Sequence, residues 1–444
     1  MNSLIPETGV GESTTGLIDV DRQHLRFRVS RKAYVDEEIF KREREIIFNR
    51  CWLYVGHASE ISKNGDFVAR QVGGRDIIFS RDHSGDIRAF FNACAHRGAI
   101  ICREAAGNTR VFTCPYHGWV FDLKGQLRDQ AAKSGYQDNF NENGLYNLNA
   151  VPRLSAYRDF YFLNFNSNAC DLVDYLAGAA EYIDLIADQT EDGMEILPGG
   201  VTFETAGNWK LQMENNFDAY HGAVLHATYF EFLDKRISVR NSVGTQKGFA
   251  FGLGGGHGAF EIDLKSGRPI AQWIPAFGEK TKAGIEAIKE NLEKKFGAER
   301  GRRIAESQRN LIIFPNLVIA DNLGISVRTV FPLSAARMRM SFWVMAPKNE
   351  EAMFRKIRLD NFLTFVGPTG FATPDDIEIF ALCQRGASSN ADAWTDNSKG
   401  MTTDENFLHG RADMMDETQM RAWWTQWDRV LSGSATLEKE AGGT

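Results

Sequence analysis

The sequence predicts an α+β chain made of two successive parts. An all-β module of short antiparallel strands spans about residues 52–165, and a larger α+β region with a sizeable sheet follows it. Three observations predict this. The β-rich runs DFVARQV, RDIIFSRD, IRAFFN, RVFTC and DFYFLNF are separated by Gly, Asp and Asn turns, the pattern of a short-stranded antiparallel module. After Asn166 the spacing lengthens, and residues 171–187 read as a helix. Further on, LIIFPNLVIA, GISVRTVFPL and MRMSFWVMAP read as three strong strands, interspersed with helical stretches.

Taken in order, residues 1–20 are polar and rich in Gly, Ser and Thr, which predicts a loose N-terminal arm. Residues 35–51 carry Ile39, Ile46 and Ile47 at helical spacing and predict an amphipathic helix. VTFETA is a strand, and NWKLQM leads into a helix. Residues 279–309 are charged, helical and largely exposed, and residues 349–365, 374–385 and 416–431 are helical. There is no internal repeat.

Composition narrows the class. The chain has 444 residues, 43% of them hydrophobic and 25% charged, so it can bury a substantial core. It contains 31 Phe and 9 Trp, which excludes disorder over the whole chain. No run of about 18 apolar residues is present to span a membrane. The start, MNSLIPETGVGESTTG, lacks the basic and apolar regions of a secretory signal. A net charge of −7 with interspersed Lys and Arg argues against nucleic-acid binding. Six cysteines are too few for a disulfide scaffold and fit a reducing cytoplasm.

The first chemical constellation is Cys94, His96, Cys114 and His117. It lies in CAHRG and CPYHGW, with seventeen residues between His96 and Cys114. Each half is one tight loop with one Cys and one His. Four such ligands suit tetrahedral zinc, or a [2Fe–2S] cluster with thiolates on one iron and imidazoles on the other. One thiol and one imidazole per loop favours the cluster, because each loop then serves both irons. Gly98 and Gly118 let the backbone turn tightly, and Pro115 stiffens the second loop. This double motif resembles the Rieske iron–sulfur domain over roughly residues 50–165. The resemblance implies Cys94 and Cys114 on one iron, with His96 and His117 on the other. Cys51, Cys102, Cys170 and Cys383 stand alone and read as core or surface thiols.

The second constellation lies in NWKLQMENNFDAYHGAVLHATYF at 208–230. His221 and His226 are five apart, which a regular helix would turn to different faces, since each residue rotates about 100°. Two ligands from this pair need a helix end or a break, and Gly222 makes one plausible. Two imidazoles with one carboxylate and open positions form the ligand set of O₂-activating non-haem Fe(II). Asp375 and Asp376 follow Pro374 at a helix start, where a carboxylate is favoured and can also serve only as a cap. The histidines, taken alone, can equally be satisfied core residues.

Together with the upstream motif, E-N-x-x-D-x-Y-H-x-x-x-x-H resembles the catalytic α subunit of Rieske non-haem iron ring-hydroxylating oxygenases, over nearly the whole chain. The resemblance implies His221, His226 and Asp376 as iron ligands. It implies an all-β iron–sulfur domain at 51–165 and a helix-grip-like catalytic domain at 166–444. Residues 1–50 would be an arm and helix packed on the latter. Naphthalene-type members have one more residue between the Glu-Asn pair and the bridging Asp, so the Asn near iron is Asn215 or Asn216, with Asn215 preferred. Asp218 would orient His221 and meet His117 of a neighbouring subunit. That implies a ring of subunits: a homotrimer, or an α3β3 assembly with a small β subunit.

Implied too are O₂ as cosubstrate, and NADH oxidised by a separate reductase, with or without a ferredoxin. The substrate would be an aromatic small molecule, either a hydrocarbon or a carboxylate, and the expected reaction is cis-dihydroxylation. Monooxygenation, as in a salicylate-type hydroxylase or O-demethylase, is the alternative, and a bare electron carrier a further one. An apolar pocket would be lined around Met213, Phe217, Leu225, Leu311, Ile313, Asn316, Phe365, Phe371 and Ala372. Ala372 stands where naphthalene-type members carry a bulky aromatic. A substrate carboxylate would need an Arg, Asn or Ser anchor, which the sequence does not single out. FGLGGGHGAF fails the dinucleotide-binding spacing and reads as a loop or strand turn near a pocket entrance, with His257 a pocket or surface residue.

Overall fold

The computed structural model of the chain describes residues 15–237, 248–263, 267–268, 270–322, 324–367, 369–402 and 410–438. Residues 1–14 of the expected arm lie outside them. The remainder of that stretch is ordered into the strand Ile18–Asp21, which pairs with Arg26–Ser30, itself paired with Trp394–Asp396. The helical region that follows resolves into Lys32–Val35 and Glu37–Arg50.

The chain divides into two compact units. One comprises Phe48–Tyr175, Glu195–Leu197 and Leu437–Thr444. It holds one four-stranded and two three-stranded sheets, antiparallel throughout. The strand Arg75–Arg81 lies between Ile87–Phe91 and Asp66–Val72, and its Ile77, Ile78 and Phe79 are wholly buried. Phe67, Ile78, Phe90, Phe112, Trp119 and Phe121 share one apolar cluster with Cys94 and Cys114. Asn92 fixes the loop above that cluster: its Oδ1 accepts from the amides of Ile101 and Cys102, and its Nδ2 donates to the Cys102 carbonyl.

The other unit comprises Met1–Ile47, Leu176–Met194 and Pro198–Thr436. Its antiparallel sheet runs, in spatial order, Arg337–Pro347, Ile325–Ser334, Leu317–Asp321, Gln308–Ile313, His257–Ile262 and Gly248–Gly254. Both faces of its middle strands are buried, so they read as continuous apolar runs rather than alternating ones. This is why LIIFPNLVIA looks like one strand. The structure breaks it at Phe314–Asn316 into a hairpin of Gln308–Ile313 and Leu317–Asp321.

Two helical expectations also change. Residues 279–309 form two helices divided at Gly297, Glu279–Phe296 and Ala298–Glu306, and the sheet claims Gln308 and Arg309. Their apolar stripe is not exposed, for Ile285, Leu292 and Ile304 are buried. Residues 171–187 divide into Leu172–Leu176 and Ala179–Ala187. FGLGGGHGAF is mostly strand: Gly248–Gly254 and His257–Ile262 form a hairpin turning at Gly255 and Gly256. A side chain at Gly258 would lie 2.7 Å from the Phe217 ring, so glycine is what lets the helix Trp209–Phe217 approach this strand.

That helix is anchored from behind by a buried acceptor. Glu43, fully buried, accepts from Trp209 Nε1 (2.9 Å), Lys210 Nζ (2.6 Å) and Trp427 Nε1 (2.8 Å). Trp427 lies on the helix Thr418–Ser432, whose Trp423 and Trp424 are also buried. Among the described residues, no helix is long and apolar enough to cross a membrane.

Candidate metal centres

The two Cys–His loops fold alike. In each, the amide of a glycine bonds back to the Cys carbonyl: Gly98 to Cys94 at 2.8 Å, Gly118 to Cys114 at 3.1 Å. Both glycines have positive φ, 71° and 64°, which a side chain would strain. The loops bring their ligand-type side chains together. The His96 and His117 rings are 4.7 Å apart. Burial raises the Cys94 pKa, and the adjacent Cys114 thiol raises it further. His96 Nδ1 is buried and meets no hydrogen-bond partner. Two neighbouring buried thiols and an orphaned imidazole nitrogen fit a cationic cluster, which would turn the thiols into thiolates and satisfy the nitrogen. Trp119 stacks on His96 at 4.8 Å and 4°, fixing the ring plane. Of the lone cysteines, Cys51 is buried, Cys102 and Cys170 are half-buried and Cys383 is exposed.

In the second unit the five-residue spacing of the histidines is accommodated by a helix break. His221 caps the start of the short helix Gly222–Leu225, and His226 ends it with non-helical ψ of 30° before a new helix begins at Ala227. The helix Ala372–Ser389 supplies Asp376 from its start. Ligand atoms of His221, His226 and Asp376 all lie within 4.8 Å of one another. His226 Nε2 is 3.4 Å and His221 Nε2 3.9 Å from Asp376 Oδ1.

The outer nitrogens face other carboxylates. His226 Nδ1 is 3.2 Å from Asp375 Oδ2, and His221 Nδ1 is 3.6 Å from Asp218 Oδ2. Burial opposes the His226 cation, but Asp376 and Asp375 outweigh it and raise its pKa. Asn215 Nδ2 donates to Asp376 Oδ1 at 3.0 Å, whereas Asn216 uses its Oδ1 to accept from Arg328. Asp218 ends the helix Trp209–Phe217, and its Oδ1 accepts from the amides of Tyr220 (2.9 Å) and His221 (3.0 Å). Two imidazoles and one carboxylate, with an outer carboxylate bonded to His226 Nδ1 and another 3.6 Å from His221 Nδ1, fit a divalent iron with open positions.

The expected pocket residues divide. Phe365 lies edge-on to His226 at 5.9 Å, and Tyr229 and Phe371 continue this aromatic wall to Phe232. Ala372 begins the helix that carries Asp376. Met213 and Phe217 are buried, and Leu225 is half-buried. Leu311 and Ile313 do not belong to this side. They alternate with Asn310 and Ile312, and Asn310 Nδ2 donates to the Asn216 carbonyl on the overlying helix. The pleat therefore turns Leu311 and Ile313 to the opposite face of the sheet. Asn316 spends its amide on the Val330 carbonyl, at 2.7 Å, as a structural tie. His257 is fully buried away from solvent, and its Nδ1 accepts from the Phe314 amide.

Sequence reasoning passed over Arg328. It shares a strand face with Ser326 and Val330 and reaches Asn216, next to Asn215. A lone Arg inside the apolar run GISVRTVFPL is the signal that could have found it.

Known protein families match both parts of the chain. Residues 51–141 match the Rieske [2Fe-2S] domain, and residues 182–433 match the ring hydroxylating alpha subunit catalytic domain. The chain is 32% identical to the 2-halobenzoate 1,2-dioxygenase large subunit of Burkholderia cepacia, covering 89% of this chain and 86% of that one. It is 32% identical to the toluate 1,2-dioxygenase subunit alpha of Pseudomonas putida, covering 83% and 81%. The crystal structure of naphthalene 1,2-dioxygenase from Rhodococcus sp. bound to indole superposes with a TM-score of 0.78 at 26% identity, covering 92% of this chain and 95% of that one.

The chain belongs to the α subunits of Rieske-type ring-hydroxylating oxygenases. It is the large subunit of a multi-component ring-hydroxylating dioxygenase, with a [2Fe–2S] cluster and a non-haem Fe(II) as cofactors and O₂ as cosubstrate. Reducing equivalents from NADH typically reach such a subunit through a partner reductase.

Proposed function

We propose that this subunit cis-dihydroxylates an aromatic hydrocarbon or aromatic carboxylate. In this reading Cys94 and Cys114 hold one iron of the cluster, His96 and His117 hold the other, and His221, His226 and Asp376 hold the catalytic ferrous ion. The observation that carries it is the convergence of three ligand atoms within 4.8 Å at a helix break, beside an aromatic wall. When bound, the cluster supplies single electrons and the ferrous ion supplies open coordination positions for O₂ beside the substrate.

The chain's own residues prepare that site. Asp375 orients the His226 ring through Nδ1, and Asp218 holds the His221 backbone amide. Asn215 donates to Asp376 and fixes the direction of that carboxylate. Phe365, Tyr229 and Phe371 present apolar surface on one side, which excludes water and accepts a flat ring.

The working division is an arm and helix at 1–50, an iron–sulfur domain at 51–165 and a catalytic domain at 166–444. Asp218 would also carry the link to His117 of a neighbouring subunit in a cytoplasmic homotrimer or α3β3 assembly, with a ferredoxin or reductase as electron donor. Turnover of aromatic acids and hydrocarbons under ¹⁸O₂ with a surrogate reductase tests the reaction. Two labelled atoms in a cis-diol are expected, and a single labelled atom would assign a monooxygenase instead.

A further inference from the structure

Most deeply held arginines of the catalytic unit meet a carboxylate. Arg268 and Arg309 face Asp321, Arg358 faces Glu350 and Arg303 faces Glu261. Arg328 does not. Its Nε donates to Ser326 Oγ at 2.9 Å, its Nη1 donates to Asn216 Oδ1 at 3.2 Å, and its guanidinium lies 5.2 Å from the centre of the Phe342 ring. All three partners are neutral. Among the described residues no carboxylate lies within ion-pair distance of it, and its Nη2 donates to none of them. A half-buried cation without a counter-ion is costly.

Position supplies the second half of the argument. Asn215 and Asn216 are consecutive; one donates to Asp376, and the other receives Arg328. One short stretch of the helix Trp209–Phe217 thus touches both the metal centre and the guanidinium. It retains accessible surface, yet burial pulls its pKa down to about 10, against the opposing pull of Asp376. Its side chain keeps accessible surface on the face of the sheet that meets Asn216, where a ligand can reach it.

We propose that Arg328 anchors the carboxylate of an aromatic acid, taking it on the free Nη2 and the second Nη1 proton while Ser326 and Asn216 hold the guanidinium plane. The planar fork matches a carboxylate in two-point contact. This rests on the reading of His221, His226 and Asp376 as the oxygenase centre, and it selects acids over hydrocarbons.

The test uses holoenzyme loaded with cluster and iron, a surrogate reductase, and benzoate, benzamide and toluene as probes. Wild type should show kcat/KM for benzoate at least about 30-fold above that for benzamide, because a buried cation left unpaired is heavily penalised. Arg328→Met should cost benzoate at least about 30-fold, chiefly in KM, while toluene changes by less than about threefold. Arg328→Lys should recover part of the loss, since it restores charge without the fork.

Equal loss on all three probes with both metals retained would make Arg328 merely structural and overturn the proposal. So would an absence of preference for benzoate in wild type, which decides the matter even if the Met variant fails to fold. Should loaded wild type oxidise none of the probes, the oxygenase reading itself fails. Benzoate binding followed by tryptophan fluorescence then judges Arg328 alone: saturable binding weakened in the Lys variant supports the anchor, and no binding rejects it.

Discussion

His226 presents its Nδ1 to Asp375 at 3.2 Å while its Nε2 approaches Asp376 at 3.4 Å, so consecutive carboxylates of one helix grip opposite edges of one ring. The outer contact selects the tautomer in which Nε2 is the free lone pair. Asp375→Ala should therefore weaken iron retention by about 10- to 100-fold, with the cluster spectrum unchanged. Iron release to a ferrous chelator, set beside the visible spectrum of the cluster, measures both. Unaltered release would show that Asp375 only caps its helix.

Asp218 has two separable tasks. Its Oδ1 accepts from the Tyr220 and His221 amides, and its Oδ2 lies toward His221 Nδ1. Asp218→Asn keeps an acceptor for the amides and removes the charge. Both metals should stay bound while turnover falls by about 10- to 100-fold or more. Asp218→Ala should abolish turnover and also loosen the loop. Stopped-flow oxidation of the reduced cluster, in the presence of substrate and O₂, locates the fault. Normal cluster oxidation by the Asn variant would dismiss any part for the carboxylate in electron transfer.

The legible and the illegible parts differ for physical reasons. The convergence of Cys94, His96, Cys114 and His117 was legible because each loop packs two ligand-type side chains and a positive-φ glycine into five residues. The five-step between His221 and His226 was legible as a problem, and Gly222 pointed to the helix break that resolves it. Leu311 and Ile313 were misplaced because a strand buried on both faces offers no alternation from which to read parity. The hairpin at Phe314–Asn316 was hidden for the same reason. Arg328 stayed unseen because its meaning lies in the missing counter-ion, and only three-dimensional neighbours reveal that.

Glu214 predicts a pH dependence of stability. Burial pushes its carboxyl from 4.5 up to about 7, against the pull of donors Trp424, Tyr34 and Asn397, and Glu417 adds to the rise. Lys210 and Cys383 also face this group. The folded pKa is raised, so the stabilising contribution is complete below about 4.5 and is lost as pH climbs through about 7. Urea unfolding should show stability declining between pH 5.5 and 8.5 by roughly 2 kcal/mol, and Glu214→Gln should flatten that decline. An equal slope in both proteins would assign the dependence to other groups.

Glu43 and Lys210 form a pair with both side chains fully buried, and Glu43 additionally satisfies two tryptophan donors. Such a pair adds little net stability, but breaking it leaves one charge uncompensated in the interior. Glu43→Gln keeps an acceptor for an indole and should still cost about 3–5 kcal/mol, because the Lys210 ammonium is then stranded. Adding Lys210→Met removes the stranded charge and should return at least half of that loss. Urea midpoints of the four proteins in this double-mutant cycle, taken at matched iron content, give the coupling directly. Additive losses would mean that the two groups stabilise the helix Trp209–Phe217 independently, through the tryptophans and packing alone.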